Sequence, residues 1–179
     1  MLNRIRKKKG VQKDVLTLAR ERVSQAFDLF DTVAVSFSGG KDSTAVLNLT
    51  IEEAERRGKL PVLVFHYDEE AIPWETVDYV RRVSKDPRVD FKWLCLPVQH
   101  RNACSRKQPY WYPWDPDCPE KWVRPMPEEA ITWDMVSGFP IEEEKRPTLP
   151  ESVGLLFNAE KYGRVGMMLG IRADESLTR

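Results

Sequence analysis

The stretch Thr32-Val33-Ala34-Val35-Ser36-Phe37-Ser38-Gly39-Gly40-Lys41-Asp42-Ser43 decides the fold of this chain. Its first six residues are largely apolar and rich in valine, which is typical of a buried β-strand. The glycine pair interrupts this pattern, and a helical pattern then runs from Lys41 to a closing Gly58. A strand that passes through two glycines into a helix predicts an α/β unit with a functional loop at the helix N-terminus.

Strand and helix patterns alternate along the rest of the chain. In chain order the sequence predicts a helix capped by Asp14, the strand at residues 32–37, the helix that Gly58 closes, a strand at 60–67, a helix that Pro73 opens, a strand at 89–95, a helix at 152–162 and a strand at 165–171. Such alternation is typical of parallel sheets with right-handed crossovers. We therefore expect residues 1–179 to form one three-layer α/β/α domain with a mainly parallel, twisted, Rossmann-like sheet.

Residues 97–150 differ from this pattern and are predicted to be a surface insertion. Nine of the thirteen prolines lie between Pro109 and Pro150, together with four of the six tryptophans. Proline at this density is incompatible with the interior of a sheet. We expect one short helix within the insertion, at residues 127–137, opened by Pro127 and followed by Gly138.

Composition narrows the class of protein. The 28 basic and 28 acidic residues balance, which does not favour a generally basic nucleic-acid binder. Mean hydropathy is −0.50, and no apolar run approaches the roughly 20 residues of a membrane span. The first nine residues are basic but lack the apolar core of a signal peptide. We expect a cytoplasmic protein without a membrane anchor, with residues 1–12 as a solubilising arm or as an arm that contacts nucleic acid.

The loop at residues 38–43 has the composition of an anion-binding site. Because Gly39 and Gly40 lack a Cβ, backbone N–H groups can face one concavity, and the helix N-terminus favours negative charge. Ser38 and Ser43 add hydroxyl donors. Asp42 beside a phosphate requires an intervening cation, so Mg²⁺ is implied if the ligand is a nucleoside triphosphate. The spacing fits neither a Walker A loop nor the G-x-G-x-x-G pattern.

These residues resemble the PP-loop, S-G-G-x-D-S, of the adenine-nucleotide α-hydrolase-like superfamily. This superfamily includes ATP pyrophosphatases, sulfate adenylyltransferase small subunits and phosphoadenosine-phosphosulfate (PAPS) reductases. Residues 67–76, Tyr-Asp-Glu-Glu-Ala-Ile-Pro-Trp-Glu-Thr, are similar to the reductase segment in which an acidic residue precedes a Glu-Thr pair. Residues 170–179, Gly-Ile-Arg-Ala-Asp-Glu-Ser-Leu-Thr-Arg, resemble the reductase motif Gly-hydrophobic-Arg-x-x-Glu-Ser-x-x-Arg. The PAPS reductase family is therefore the closest resemblance.

The resemblance implies a site for an adenine nucleotide, either ATP or PAPS. It assigns phosphate or pyrophosphate binding to the whole loop, with Lys41, Asp42 and Arg172 as catalytic candidates. Asp68, at the carboxyl end of a strand, and both Arg172 and Arg179 would contact the nucleotide or its phosphate or sulfate. The alternatives are an ordinary loop acid for Asp68 and surface ion pairs for the two arginines.

The three cysteines, Cys95, Cys104 and Cys118, have neither CxxC nor zinc-finger spacing, which favours reduced thiols. Cys104 lies between Arg101 and Arg106 and is the candidate nucleophile, with Cys118 as the candidate resolving cysteine. We favour the alternative that these thiols are structural or incidental and have no catalytic role. The sequence lacks the Glu-Cys-Gly-type segment of PAPS reductases and the cysteine set of the adenylylsulfate branch. We accordingly expect no iron–sulfur cluster and no self-sufficient reductase chemistry.

Other features leave alternatives open. The insertion interleaves aromatic with basic residues, which suits either base stacking or, as we favour, a local mini-core. His66 lies in an apolar strand and is predicted to be a hydrogen-bonded core residue. Three functions remain: α–β phosphate cleavage of ATP with adenylylation, sulfonucleotide or sulfur-transfer chemistry, and non-catalytic nucleotide binding beside a partner such as a ParB-like protein. A protein partner, nucleic acid at the basic arm and self-association all stay open.

Overall fold

The structure, a computed structural model, describes residues 12–142 and 145–171. Its elements in chain order are α1 (Val15–Leu29), β1 (Thr32–Ser36), α2 (Lys41–Arg56), β2 (Val62–Tyr67), α3 (Trp74–Ser84), β3 (Val89–Cys95), β4 (His100–Arg101), β5 (Tyr110–Trp111), β6 (Ile131–Thr132), α4 (Leu149–Leu156), α5 (Ala159–Tyr162) and β7 (Val165–Leu169). Asp14 caps α1 as predicted, because its carboxylate accepts the Thr17 backbone N–H at 2.9 Å. The predicted alternation of strands and helices is confirmed.

The main sheet has five strands in the order β6-β3-β2-β1-β7, and every neighbouring pair is parallel. The register places Ala34 of β1 between Leu63 of β2 and Met167 of β7. Since all strands run in one direction, their carboxyl ends lie at the same edge of the sheet. This is the edge at which open α/β sheets bind ligands.

Helices cover both faces of this sheet, which confirms the three-layer α/β/α fold. On one face, Val64 packs in a core with Phe27 of α1, Leu47 of α2 and Val80 of α3. On the opposite face, Phe65 packs in a core with residues of α4 and the end of the insertion, including Leu155, Phe157 and Phe139. Because β1 and β2 are covered on both sides, their sequences are nearly continuous apolar runs, whereas β3 carries Asp90 and Lys92 between its apolar residues.

The helix predicted at residues 127–137 is wrong. Residues Ile131–Thr132 instead form β6, whose Ile131 and Thr132 pair with Leu94 and Cys95 at the edge of β3. A short 3₁₀ turn, Trp133–Met135, follows directly. The β-branched pair fits a strand better than a helix, and the free edge of β3 supplies the partner that a sequence pattern does not reveal.

The other predicted elements need only changes of boundary. The helix predicted at 152–162 begins earlier, with Thr148 and Glu151 forming a capping box, and it is split where Asn158 caps the short helix α5. The last strand ends at Leu169.

The described helices include none with the length and apolar character needed to cross a bilayer. Most of the predicted basic arm, residues 1–11, lies outside the described residues.

Candidate functional site

The loop between β1 and α2 closes on itself through serine hydroxyls. The Ser43 hydroxyl donates to the Gly40 carbonyl at 2.9 Å and lies 3.0 Å from the Ser38 hydroxyl. The Gly40 backbone N–H in turn donates to Ser38 Oγ at 3.3 Å. These bonds hold the turn in shape before any ligand arrives. Ser43 is buried, so its first role is to stabilise the loop; direct phosphate contact by either serine stays a prediction.

The first amides of α2 are the main-chain donors predicted to face an anion at this loop. Residues at the start of a helix have N–H groups without intrahelical acceptors, and the helix dipole places partial positive charge there. In α2 these are the amides of Lys41, Asp42 and Ser43, directly after the N-cap residue Gly40. Free amides at a helix start can bind a phosphate or pyrophosphate group, and binding of such a group by residues 38–43 stays a prediction.

Gly39 is required by the backbone and by its surroundings. Its φ of +80° lies in the left-handed region, where L side chains are strained. A Cβ at this position would stand 2.9 Å from Thr76 Cγ2 and 3.2 Å from Val80 Cγ2, both on α3. The glycine therefore lets the loop rest directly on α3.

Gly170, which directly follows β7, lies even closer to its neighbours, at the start of α2. A Cβ on Gly170 would lie 2.6 Å from the backbone carbonyl carbon of Asp42 and 2.6 Å from the backbone nitrogen of Ser43. Gly170 is the first residue of the Gly-Ile-Arg motif found in the sequence, so the structure brings the beginning of that motif against the PP-loop helix. Arg172 and Arg179 themselves lie outside the described residues, and their ligand contacts stay predictions.

Lys41 and Asp42 place opposite charges at the mouth of the loop. Lys41 Nζ lies 2.9 Å from Asp42 Oδ2, and the Lys41 side chain is 84% exposed. Within residues 12–142 and 145–171 no group of three or more His, Cys, Asp or Glu side chains is arranged to hold a metal ion. Mg²⁺ commonly takes only one or two protein carboxylates, with phosphate oxygens and water completing its shell. The single carboxylate of Asp42 is therefore compatible with an Mg²⁺ ion that a nucleotide would also coordinate, and Mg²⁺ binding stays a prediction.

The buried His66 side chain forms a hydrogen bond to the backbone just before the loop. Its Nδ1 lies 2.8 Å from the carbonyl oxygen of Phe37, the residue just before the loop. Because a carbonyl only accepts, Nδ1 carries the proton and donates. The ring is 2% exposed, and burial lowers the His66 pKa. The predicted core position is confirmed, but only half of the predicted hydrogen bonding is, because Nε2 has no partner among the described residues.

Asp68 lies in a buried ion pair. Both of its carboxylate oxygens accept hydrogen bonds from Arg124 Nη2, and Oδ2 also accepts the indole N–H of Trp93 at 2.8 Å. Oδ1 accepts the backbone N–H of Glu70 at 2.8 Å, and the Asp68 side chain is fully enclosed. The partners of Asp68 in this arrangement are thus protein groups, and the predicted contact with a nucleotide stays a prediction.

This ion pair belongs to a network that attaches the insertion to the sheet. Arg124 also donates from Nε to the Glu70 carbonyl at 3.0 Å, and its guanidinium stacks 4.8 Å above the Trp114 ring. The Trp114 indole N–H donates to the Asp68 carbonyl at 2.8 Å. Sequence reasoning missed Arg124 as a buried partner. The sequence shows that Arg124 lies among prolines and tryptophans, which is consistent with burial. It does not reveal the partner of Arg124, because Asp68 lies 56 positions earlier in the chain.

The three cysteines lie in different environments. Cys95 is buried, and burial with the nearby Asp68 carboxylate raises the pKa of its thiol. Cys104 is exposed, whereas Cys118 is half-buried with its sulfur 3.5 Å from Lys121 Nζ. None of the three joins another in a disulfide. A catalytic role for Cys104 stays a prediction.

The aromatic residues of the insertion divide between two environments. Trp114 is completely buried and packs edge-to-face against Trp122, which matches the predicted mini-core. Tyr110 and Trp111 of β5, by contrast, are 47% and 38% exposed. The mini-core therefore accounts for only part of the aromatic cluster.

The parallel sheet and the glycine turn between β1 and α2 define the chain as an α/β domain of the PP-loop kind. A family model described as the phosphoadenosine phosphosulfate reductase domain matches residues 32–179, and the chain belongs to this family. The uncharacterised protein YbdN of Escherichia coli (strain K12) is 37% identical over 177 residues, covering 93% of this chain and 40% of YbdN. The chain thus spans well under half the length of this curated relative.

Proposed function

We propose that this chain binds an adenine nucleotide, ATP or PAPS, with its phosphates on residues 38–43, and promotes a reaction at the phosphate or sulfate end. The observation that carries this proposal is the loop before α2. The hydroxyls of Ser38 and Ser43 interact with each other within it, and Gly39 packs against α3 so closely that a Cβ would not fit. Membership of the PAPS reductase family supports an adenine nucleotide as the ligand.

The loop suits a reaction in which negative charge develops on a departing group. Main-chain amides that are fixed in advance stabilise such charge without reorganising during the reaction. The exposed ammonium of Lys41 adds positive charge at the same place. If ATP is the substrate, Mg²⁺ held by Asp42 and the phosphates would neutralise charge on departing pyrophosphate. Cleavage between the α and β phosphates, with transfer of the adenylyl group, is the resulting candidate reaction.

Sulfonucleotide chemistry is the second candidate, favoured by the family and by two thiols, Cys104 and Cys118, that are not fully buried. In that reaction a thiolate attacks the sulfur of PAPS, and adenosine bisphosphate leaves. A third candidate is nucleotide binding without turnover beside a partner protein, such as a ParB-like one.

Product analysis separates these candidates. The chain is incubated with ATP and Mg²⁺, and separately with PAPS and reduced thioredoxin, each with wild-type protein and Gly39→Val. Pyrophosphate and AMP from ATP would select adenylyl chemistry. Sulfite and adenosine bisphosphate, lost in Cys104→Ser, would select reduction. Tight binding without products would select the non-catalytic role, and no binding of either nucleotide would contradict the proposal.

A further inference from the structure

A cavity that shares no lining residue with the PP-loop lies between the insertion and the loop after β2. We call it the insertion cavity. It is walled by residues 69–71, 107–112 and parts of 115–123, and its volume is about 650 Å³. This volume falls in the range of about 300–1,000 Å³ that is typical of small-molecule sites. None of residues 38–43 lines it.

Buried hydrogen bonds hold the walls of this cavity in place. The Glu70 carboxylate accepts the backbone N–H of Trp114 at 2.7 Å and that of Val123 at 2.8 Å, which joins the loop after β2 to two points of the insertion. Glu70 and Trp114 both have positive φ, at 64° and 52°. Such strained residues persist only where the surrounding structure fixes them, and they cluster at functional sites. The cavity is therefore formed in advance.

Aromatic rings line one side of the cavity. Tyr110 and Trp111 both contribute to the lining, and both keep a large exposed fraction. Trp111 stacks on His100 with ring centroids 4.5 Å apart and an angle of 23° between the planes. That stack orients the indole, and exposed, oriented rings favour a planar ligand that can stack on them or pack against their edges.

The charges that remain available in the cavity favour an anion. Lys107 and Lys121 both line it, and among the described residues neither takes part in an ion pair. Of the acids in the lining, Asp115 is paired with Arg146 at 2.9 Å, and Glu70 accepts two backbone N–H groups. Glu69 is the remaining acid. Within the described part of the chain, Lys107 and Lys121 are thus two cations without a carboxylate partner, with which an anion would pair, and the carboxylates of Glu69 and Glu70 are the groups that would oppose it.

We propose that the insertion cavity binds a planar aromatic ring that carries an anionic group, with the ring at Tyr110 and Trp111 and the anion at Lys107 and Lys121. The anionic group is a phosphate, sulfate or carboxylate, since an ammonium pairs with each of them. This site does not depend on nucleotide binding at the PP-loop.

Calorimetric titration with 1-naphthyl phosphate tests the site, with 1-naphthol and inorganic phosphate as probes of the ring and the anion alone. 1-Naphthyl sulfate and 1-naphthoate distinguish the kinds of anion. We expect saturable binding of at least one naphthyl anion, about tenfold tighter than either partial probe. Trp111→Ala and Lys121→Gln should each weaken it at least fivefold. Matched controls are Trp74→Ala, an exposed tryptophan outside the cavity, and Lys85→Gln, an exposed lysine; both should bind as the wild type does.

The outcomes separate this site from the PP-loop. Gly39→Val should leave naphthyl-anion binding unchanged even where it abolishes nucleotide binding. If Gly39→Val removes probe binding while the cavity variants retain it, the probe occupies the PP-loop and the proposal is wrong. The absence of saturable binding up to about 1 mM would also overturn it. Tyr110→Ala and Lys107→Gln provide a second pair of variants should Trp111→Ala fail to fold, as judged by circular dichroism.

Discussion

At the scale of single residues, Gly39 combines a left-handed backbone conformation with close packing in the loop proposed to bind phosphate. Gly39→Ala forces a Cβ into the left-handed region, which costs about 1–2 kcal/mol, and places it 2.9 Å from Thr76 Cγ2. We expect lower stability in urea unfolding and at least tenfold weaker ATP or PAPS binding by calorimetry, because the loop must shift away from α3.

Gly58→Ala is the matched control for this substitution. Gly58 has a similar φ of +66°, but a Cβ there meets nothing within 4 Å, and the residue lies beyond the far end of α2. Gly58→Ala should lose comparable stability from backbone strain and keep wild-type nucleotide affinity. Equal affinity in the two variants would mean that the contact of Gly39 with α3 does not shape the binding loop.

The burial of His66 predicts that the free energy of unfolding depends on pH. Burial lowers its pKa below the ordinary value of 6.5, so the unfolded chain takes up a proton at a higher pH than the folded one. The stabilising contribution is complete above the unfolded pKa and falls as the pH drops from there toward the folded pKa. Its slope can reach about 1.4 kcal/mol per pH unit.

His66→Asn removes this titration and keeps an amide donor that can reach toward the Phe37 carbonyl. Between pH 7.5 and 5.5 we expect the unfolding free energy of the wild type to decline more steeply than that of the variant. His100, whose pKa burial also lowers, contributes alike to both proteins and cancels in the comparison. Parallel curves would show that His66 titrates normally in the folded chain.

At the scale of elements, the pair of Asp68 and Arg124 is a buried attachment of the insertion to the sheet. Arg124→Leu leaves a buried carboxylate without its cation, and breaking such a pair costs about 3–5 kcal/mol. Urea unfolding monitored by tryptophan fluorescence should detect this loss. Arg81→Leu, which breaks the exposed pair with Asp78, is the control and should be nearly neutral. A neutral Arg124→Leu would show that Asp68 does not need its partner.

The approach of β7 to α2 gives a second prediction for the elements. A Cβ on Gly170 meets backbone atoms of Asp42 and Ser43, which cannot rotate away as a side chain can. Gly170→Ala should cost about 1–3 kcal/mol of stability, as overpacking typically does, and weaken nucleotide binding. Gly154→Ala, in α4 with nothing within 4 Å, should be neutral or stabilising. Wild-type behaviour of Gly170→Ala would contradict this close contact.

The elements also show which parts of the structure the sequence reveals. The strand, loop and helix at residues 32–56 were predictable because a local apolar run, two glycines and a helical period act within one stretch of chain. Strand β6 was not, since its residues become a strand only by pairing with β3, more than thirty positions earlier. The link between Asp68 and Arg124 was hidden for the same reason. Pairing between residues that are far apart in the chain cannot be recognised from the local sequence pattern.

At the scale of the whole molecule, the parallel sheet gathers the functional parts at one edge. The PP-loop follows β1, the Asp68 network follows β2, and the Gly170 segment follows β7. The insertion cavity uses the loop after β2 as one of its walls. The proposed nucleotide site and the proposed site in the insertion cavity thus both lie next to loops that follow strands of the same sheet.

Backbone amide NMR during titration with pyrophosphate is the most direct measurement of the anion cradle. If the amides at the start of α2 bind phosphate, the largest chemical-shift changes will fall on residues 39–43 and will saturate with one pyrophosphate per chain. The same titration of Gly39→Val should leave these amides unshifted. Saturating changes centred elsewhere, or none at residues 39–43 in the wild type, would contradict phosphate binding by this loop.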